Sequence, residues 1–310
     1  MTFNTPILFL VFNRPHYTQQ VFEAIRAAKP KQLFIAADGP REDIASDIAN
    51  CEAVKDIIAN VDWDCEVKNL FRDKNLGCGL APSSAITWFF EHVEQGIILE
   101  DDCLPSASFF PFCQEMLERY KNDFRINSIC GTNLLKEWES GNNSYFFSKE
   151  SGIWGWATWR RAWLEYDYKV AKWNDHRVKE LFLEQFENTS QRAAYEYALD
   201  KAVSNIAVTF WDYQWVFSRI SNSQFGIIPS VNLISNIGFG ADATHTFDAN
   251  SEISNLVAQE ICFPIIHPMS IMIDHKYDHT LNSKFHPIKV SFENKIFQKL
   301  FYRIHAFFHN

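Results

Sequence analysis

Four short apolar runs in the first hundred residues, separated by segments of helical periodicity, constrain this chain more than any other feature. "PILFLVF" (6–12), "QLFIAADGP" (32–40), "CEVKNLF" (65–71) and "GIILE" (96–100) read as strands. The first is apolar throughout and bounded by Pro6 and "NRP", as expected for a strand buried on both faces. Between the strands, residues 16–28, 43–61 and 81–94 carry apolar side chains at helical spacing, with Ile44, Ile48, Val54 and Ile57 assigned to one side of the second helix. The third begins close to Pro82, which suits a first turn. A strand–helix rhythm of this kind predicts a mainly parallel sheet with helices on both faces, an α/β fold.

Beyond residue 100 the pattern loosens. Residues 106–123 read as a helix, 126–133 as a strand, 178–204 as helical and 224–238 as extended. Residues 138–176 are rich in Trp, Gly and Tyr without clean periodicity, and 238–248 form a loop of small residues. No repeat and no linker divides the chain. The simplest organisation is one α/β domain over residues 1–265 followed by a C-terminal extension, 266–310.

Composition narrows the function. Hydrophobic residues make up 47% of the 310 and charged residues 22%, enough for a sizeable core. A net charge of −9 argues against a nucleic-acid partner, which calls for a basic face. The 28 Phe, 10 Trp and 10 Tyr suit either a core or a sugar-binding cleft. Seven Cys without a CxxC pair read as reduced, mostly buried thiols of a cytoplasmic protein. The sequence shows no signal-peptide pattern and no apolar run of about 18 residues that would cross a membrane.

The chemistry concentrates at strand ends. Glu100, Asp101 and Asp102 follow the fourth apolar run directly, Asp38 follows the second and Arg14 the first. Ligands of open parallel sheets bind beyond the carboxyl ends of the strands, so these groups are expected on one edge. Carboxylates crowded there raise one another's pKa unless a cation joins them. Hard oxygen donors suit Mg²⁺ or Mn²⁺, which keep positions for water and substrate phosphate. The bland alternative makes Asp101 and Asp102 caps of the following helix. The acids and Arg14 on the same edge favour the metal.

An apolar strand ending in "LEDDCLPS" resembles the acidic metal signature of GT-A fold glycosyltransferases, and its "EDD" form resembles that of the inverting β-1,2-N-acetylglucosaminyltransferase I family. Further segments match in the same order over roughly residues 6–248. "ILFLVFNRP" is similar to that family's first strand and turn, and "LFIAADG" to its second strand. "GIWGWATWRRAW" resembles an acceptor-region segment, "FWDYQWV" the segment carrying the catalytic base, and "IIPSVNLISNIGFGADATHT" the stretch and loop that close over the donor. The overall flavour is that of bacterial surface-glycan enzymes.

The resemblance implies a GT-A fold, with a donor-binding half at about 1–135 and an acceptor-binding half at about 136–265. It implies transfer from a UDP-sugar, GlcNAc or a related hexose, to a glycan or lipid-linked saccharide. Asp102 would hold Mn²⁺ or Mg²⁺ at the donor diphosphate, with Glu100 and Asp101 at the ribose or supporting the metal. Asp38 would bond the nucleobase, Arg14 would lie near the nucleotide, and Asp212 would be the general base. Residues alone leave Asp212 evenly divided between a base and a helix cap. The chain departs from the family after the third strand, where "NLGCGLAPSSAITW" replaces a basic, His-containing stretch and leaves Arg72 and Lys74 to compensate. Tyr213 stands where a second acid is expected. Of the Trp residues in 154–159, Trp156 is the one expected to stack on acceptor sugar, and His245 is a lid contact to the donor.

Residues 294–310 form an amphipathic pattern with Lys295, Lys299 and Arg303, suited to peripheral membrane contact or to packing on the domain. Two rival readings stand beside the transferase. A sugar-nucleotide pyrophosphorylase shares such a sheet but needs a Gly-rich loop where this chain has "FNRPHYT". A non-catalytic carbohydrate-binding or scaffold protein would explain the aromatics but not the acids at the strand ends.

Overall fold

A computed structural model describes residues 3–204, 208–239 and 256–285. Strand β1 (Ile7–Val11) is buried at every position, as its unbroken apolar sequence requires. Pro15 then opens α1 (Pro15–Ala28), where its missing N–H costs nothing, and Lys29 ends the helix in a left-handed conformation. Strands β2 (Gln32–Ala37) and β3 (Glu66–Phe71) flank α2 (Ala45–Ile58) in sequence. That helix turns a different face inward than its sequence suggests. Asp47, Cys51, Val54 and Ile58 are buried, whereas Ile48 is 63% exposed. The reason is Asp47, whose carboxylate is held by Asn13 and Arg41 and rotates the stripe toward the sheet edge.

Helix α3 (Gly77–His92) starts four residues before the expected position, with Pro82 inside it. It leads to β4 (Gln95–Glu100), the short β5 (Cys103–Pro105), α4 (Phe109–Tyr120) and β6 (Ile126–Cys130). The aperiodic Trp-rich region contains β7 (Tyr145–Ser148), β8 (Trp156–Trp159), the one-turn α5 (Arg160–Trp163) and a 3₁₀ turn at Ala171–Asn174. The helical stretch that follows is two helices, α6 (His176–Leu183) and α7 (Thr189–Val203). Each opens on a side-chain cap, Asp175 and Asn188 respectively. Then come α8 (Asp212–Ser221), β9 (Phe225–Pro229), β10 (Ile234–Asn236) and α9 (His275–Phe285).

The main sheet has eight strands in the order β3-β2-β1-β4-β8-β6-β9-β7. β3, β2, β1 and β4 are mutually parallel, β8 enters antiparallel between β4 and β6, β9 runs parallel to β6, and β7 closes the edge antiparallel. Six strands thus share one direction. This is the Rossmann-like, mainly parallel α/β plan of a GT-A fold. β5 and β10 form a separate antiparallel pair, which carries the chain after the acidic stretch.

One face of the sheet packs against α1, α2 and α4 through Phe9, Phe22 and Phe112, and the other against α3 and α8 through Phe34, Phe89 and Trp215. Each fully buried aromatic of this kind contributes about 1.5–3 kcal/mol. α9 lies on the β7 edge, where Tyr277 stacks tilted on Phe146 with ring centroids 4.5 Å apart and Asp278 accepts a bond from Ser148 Oγ at 2.5 Å. All seven cysteines are free thiols, and Cys51, Cys103, Cys113 and Cys130 are buried. No helix among the described residues is long and apolar enough to cross a membrane. Residues 294–310 lie outside the described residues.

Candidate active site

The strand order 3-2-1-4 reverses between β1 and β4, and a crevice opens outside the carboxyl ends of the strands at such a point. A cleft of about 1450 Å³ lies there. Its walls include Arg14 after β1, Asp38 after β2, Arg72 after β3 and Glu100, Asp101 and Asp102 at the end of β4. Asp212, more than a hundred residues further on, lines the same cleft. Seven of the residues singled out in the sequence therefore meet around one cavity.

Arg14 binds two of the acids at once. Its Nη2 donates to Asp101 Oδ1, and its Nη1 stands 3.0 Å from Asp102 Oδ2. Asp101 also accepts a bond from the Phe12 amide at 3.4 Å. One guanidinium does not offset three carboxylates. Burial, then the charges of Asp102 and Asp101, raise the Glu100 pKa despite Arg14, and Asp212 adds to the rise. Burial likewise raises Asp101, with Arg14 pulling it back. The negative charge left over at this edge is what a hard cation would neutralise.

No group of three His, Cys, Asp or Glu among the described residues forms a ready metal cage. Mg²⁺ and Mn²⁺ need only one or two protein carboxylates, the remaining positions going to water and phosphate, so the donor set fits such an ion with Asp102 as its carboxylate. Asp102 is fixed from behind. Its carbonyl accepts the Ile237 amide at 2.8 Å, and a Cβ on Gly238 would come within 2.2 Å of Oδ2. Any side chain at position 238 would therefore displace this carboxylate.

Asp38 is anchored to the backbone. Its Oδ1 accepts the amides of Gly39 and Leu76, both at 3.0 Å, and its Oδ2 accepts that of Gly77 at 3.1 Å. Leu76 and Gly77 open α3, so Asp38 caps that helix across the fold. Its carboxylate thus holds the start of α3 in place while facing the cleft. Burial raises its pKa, while the three amides and Arg72 oppose the rise. Arg72 donates to Ser84 Oγ at 2.8 Å, and burial lowers its pKa.

Asp212 is the first residue of α8, with Trp211 in the cap position, so it is not the helix cap but sits where the helix dipole favours a carboxylate. The aromatic excess explains how it is held. Trp211 and Trp215 pack with Trp156 and Trp163 in one cluster, ring centroids 5.2–6.4 Å apart, and Tyr166 donates to the Trp211 carbonyl at 3.2 Å. At the other end of α8, the buried Arg219 donates to the carbonyls of Ser151 and Lys149 at 3.0 and 2.7 Å. A second, smaller recess of about 180 Å³, between α7 and α8, is also lined by Asp212 and by Tyr213.

Trp156 is 0% exposed, a member of that cluster and absent from the cleft wall. The expectation that it stacks on a sugar is corrected: Trp154 and Trp211, not Trp156, line the cleft. Residues two apart on a strand share a face, but Gly155 takes φ 58° between them and breaks the alternation. Trp154 packs with the core on one side of the sheet and Trp156 on the other. His245 lies outside the described residues.

Sequence reasoning also passed over Asn13, Arg41 and Asp47, which line the cleft as a bonded set. Asp47 accepts from Asn13 Nδ2 at 2.7 Å and from Arg41 Nε at 2.6 Å, and Arg41 lies over the Phe12 ring, 5.5 Å from its centroid. Their signal was position, since Asn13 adjoins Arg14 and Arg41 closes the "DGPR" turn after β2.

No family model matches the chain, and no curated protein matches it in sequence. Solved structures similar to it include the following. UDP-glucose pyrophosphorylase with UDP-glucose bound is 9% identical with a TM-score of 0.37, over 75% of this chain and 93% of that one. S. aureus TarS residues 1–349 are 7% identical with a TM-score of 0.37, over 74% and 58%. HddC from Yersinia pseudotuberculosis is 9% identical with a TM-score of 0.32, over 51% and 77%. Similarity this slight leaves the meaning of the site to its own residues.

Proposed function

We propose that this chain is an inverting, metal-dependent glycosyltransferase that moves a hexose, GlcNAc or a close relative, from a UDP-sugar to a glycan or lipid-linked acceptor in bacterial surface polysaccharide assembly. One observation carries the reading: the acids at the end of β4 and Asp212 at the start of α8 face a single cleft at the switch point of the sheet. An excess of buried negative charge suits a cation-bridged diphosphate, and a separately mounted carboxylate suits deprotonation of an acceptor hydroxyl.

In this reading Asp102 holds Mn²⁺ or Mg²⁺, which when bound supplies Lewis-acid stabilisation to the departing diphosphate. Arg14 keeps Asp101 and Asp102 in place and lies beside the nucleotide. Asp212 accepts the proton of the acceptor hydroxyl as that oxygen attacks the anomeric carbon from the face opposite the leaving group. The tryptophan cluster and Arg219 hold Asp212 so that its position does not depend on substrate. A pyrophosphorylase is less well suited, because the β1–α1 turn is Asn13-Arg14-Pro15 with no glycine to cradle phosphate.

The test is hydrolysis of a panel of UDP-sugars with and without Mn²⁺, followed by Asp212→Asn. The variant is expected to bind UDP as the wild type does and to lose about 10²–10⁴-fold in turnover. Full activity in Asp212→Asn would remove the base assignment.

A further inference from the structure

The cleft has a wall that the donor chemistry does not use. Ala194, Tyr197, Ala198 and Lys201 lie at i, i+3, i+4 and i+7 on α7 and line the cleft as one stripe beside Asp212. Both alanines keep the wall flat. Tyr197 is 72% exposed, unusual for an aromatic inside a cavity wall, and presents an open ring. Ala194 also borders the recess between α7 and α8, so the stripe runs continuously past Asp212.

The cations of the cleft are otherwise committed. Arg14 pairs with Asp101 and Asp102, Arg41 with Asp47, and Arg72 donates to Ser84 Oγ within reach of the Asp38 charge. Lys201 pairs with no carboxylate among the described residues. Its Nζ lies 5.9 Å from the centroid of the Phe210 ring, which steadies the side chain without cancelling its charge. The acidic neighbours on its own helix, Glu196 and Asp200, are taken by Lys179.

We infer that the α7 stripe is the acceptor subsite and that Lys201 selects an acceptor bearing an anionic group, a sugar carboxylate or a phosphate, next to the ring that Tyr197 stacks upon. This rests on the transferase reading, since it places the acceptor on the Asp212 side of the cleft. A flat aromatic wall meets the apolar face of a pyranose, and a cation with no carboxylate partner among the described residues, in a chain of net charge −9, selects rather than merely attracts.

The test applies the full chain, with UDP and Mn²⁺, to an array of neutral, uronic-acid-bearing and phosphorylated oligosaccharides. Signal is expected on acidic glycans alone, lost about tenfold in Lys201→Gln and kept in Lys201→Arg, with UDP affinity unchanged in both. Signal on the uronic acids assigns an acidic sugar, and signal on the phosphorylated set assigns a glycosyl phosphate. Equal binding of neutral glycans, binding of none, or an unaltered Lys201→Gln overturns the inference. Hydrolysis of UDP-sugars is measured alongside. A wild type that hydrolyses none and binds no UDP loses the transferase reading, whereas a wild type that hydrolyses them but ignores acidic glycans loses only the subsite.

Discussion

Arg14 Nη1 stands 3.0 Å from Asp102 Oδ2 while the other arm of the same guanidinium holds Asp101. A cation from the end of one central strand therefore sits against the acids at the end of its neighbour. It partly offsets a charge that the fold would otherwise bury uncompensated.

Removing that cation should expose what the acids need. Arg14→Gln is expected to lose about 3–5 kcal/mol, because two part-buried carboxylates are left without their partner. Mn²⁺ should then raise the melting temperature of the variant more than that of the wild type. Thermal melts with and without Mn²⁺ measure both. An identical Mn²⁺ response in the two proteins would count against Asp102 as a cation ligand.

Asp38 gives the opposite kind of prediction. Its two oxygens accept three backbone amides at the start of α3, and an amide side chain has only one acceptor oxygen. Asp38→Asn should cost about 1–3 kcal/mol in denaturant unfolding and leave the preference for UDP over other nucleoside diphosphates unchanged. A shift in nucleobase preference at unaltered stability would instead assign Asp38 to the base.

Two tryptophans two residues apart should behave as different kinds of residue. Trp156→Ala opens a cavity in a fully buried cluster and is expected to cost about 3–5 kcal/mol. Trp154→Ala removes a cleft wall, and its main effect should appear in KM. Denaturation and steady-state kinetics on both variants separate the two, and a large stability loss in Trp154→Ala would contradict the assignment.

Asp47 ties stability to acid. Hydrogen bonds from Arg41 lower its pKa from 3.8 to about 2, with Asn13 helping against the rise due to burial. A folded-state pKa below the unfolded one contributes stability that is complete above about pH 4 and lost as the pH falls toward 2. The contribution is about 1–2 kcal/mol, reduced because the Arg41 side chain is half exposed and screened. Asp47→Asn should therefore lie below the wild type at pH 6 and converge with it as the pH falls through about 2 in urea unfolding.

The strand–helix alternation of residues 6–100 was legible because short apolar runs bounded by turn residues, as at β1, β2 and β4, suit strands buried on both faces, with helical spacing between them. The acids and Arg14 were legible for a related reason, since a parallel sheet sends every strand's carboxyl end to the same side. What failed was orientation. Periodicity put Ile48 inside, but the buried Asp47 carboxylate, held by Asn13 and a half-exposed Arg41, turned α2 instead. A single glycine in a left-handed conformation exchanged the faces of Trp154 and Trp156. The stripe through Tyr197 and Lys201 carried no signal either, since a helix reads alike in sequence whether its polar side meets solvent or a cleft.

The antiparallel strand β8 joins the parallel β3-β2-β1-β4 half of the sheet to the rest, and its four residues are synthesised well after β4 and β6. Until Trp156–Trp159 leave the ribosome, β4 has a partner on one side only, and β6 waits for both β8 and β9. The nascent chain thus carries open apolar edges through the whole span from residue 100 to 155, the stage at which strands recruit wrong partners. The arrival of β8 closes the open edge of β4 and sets Trp156 in place, but β6 keeps one free edge until β9 follows, and the tryptophan cluster behind Asp212 closes only once Trp211 and Trp215 have been made.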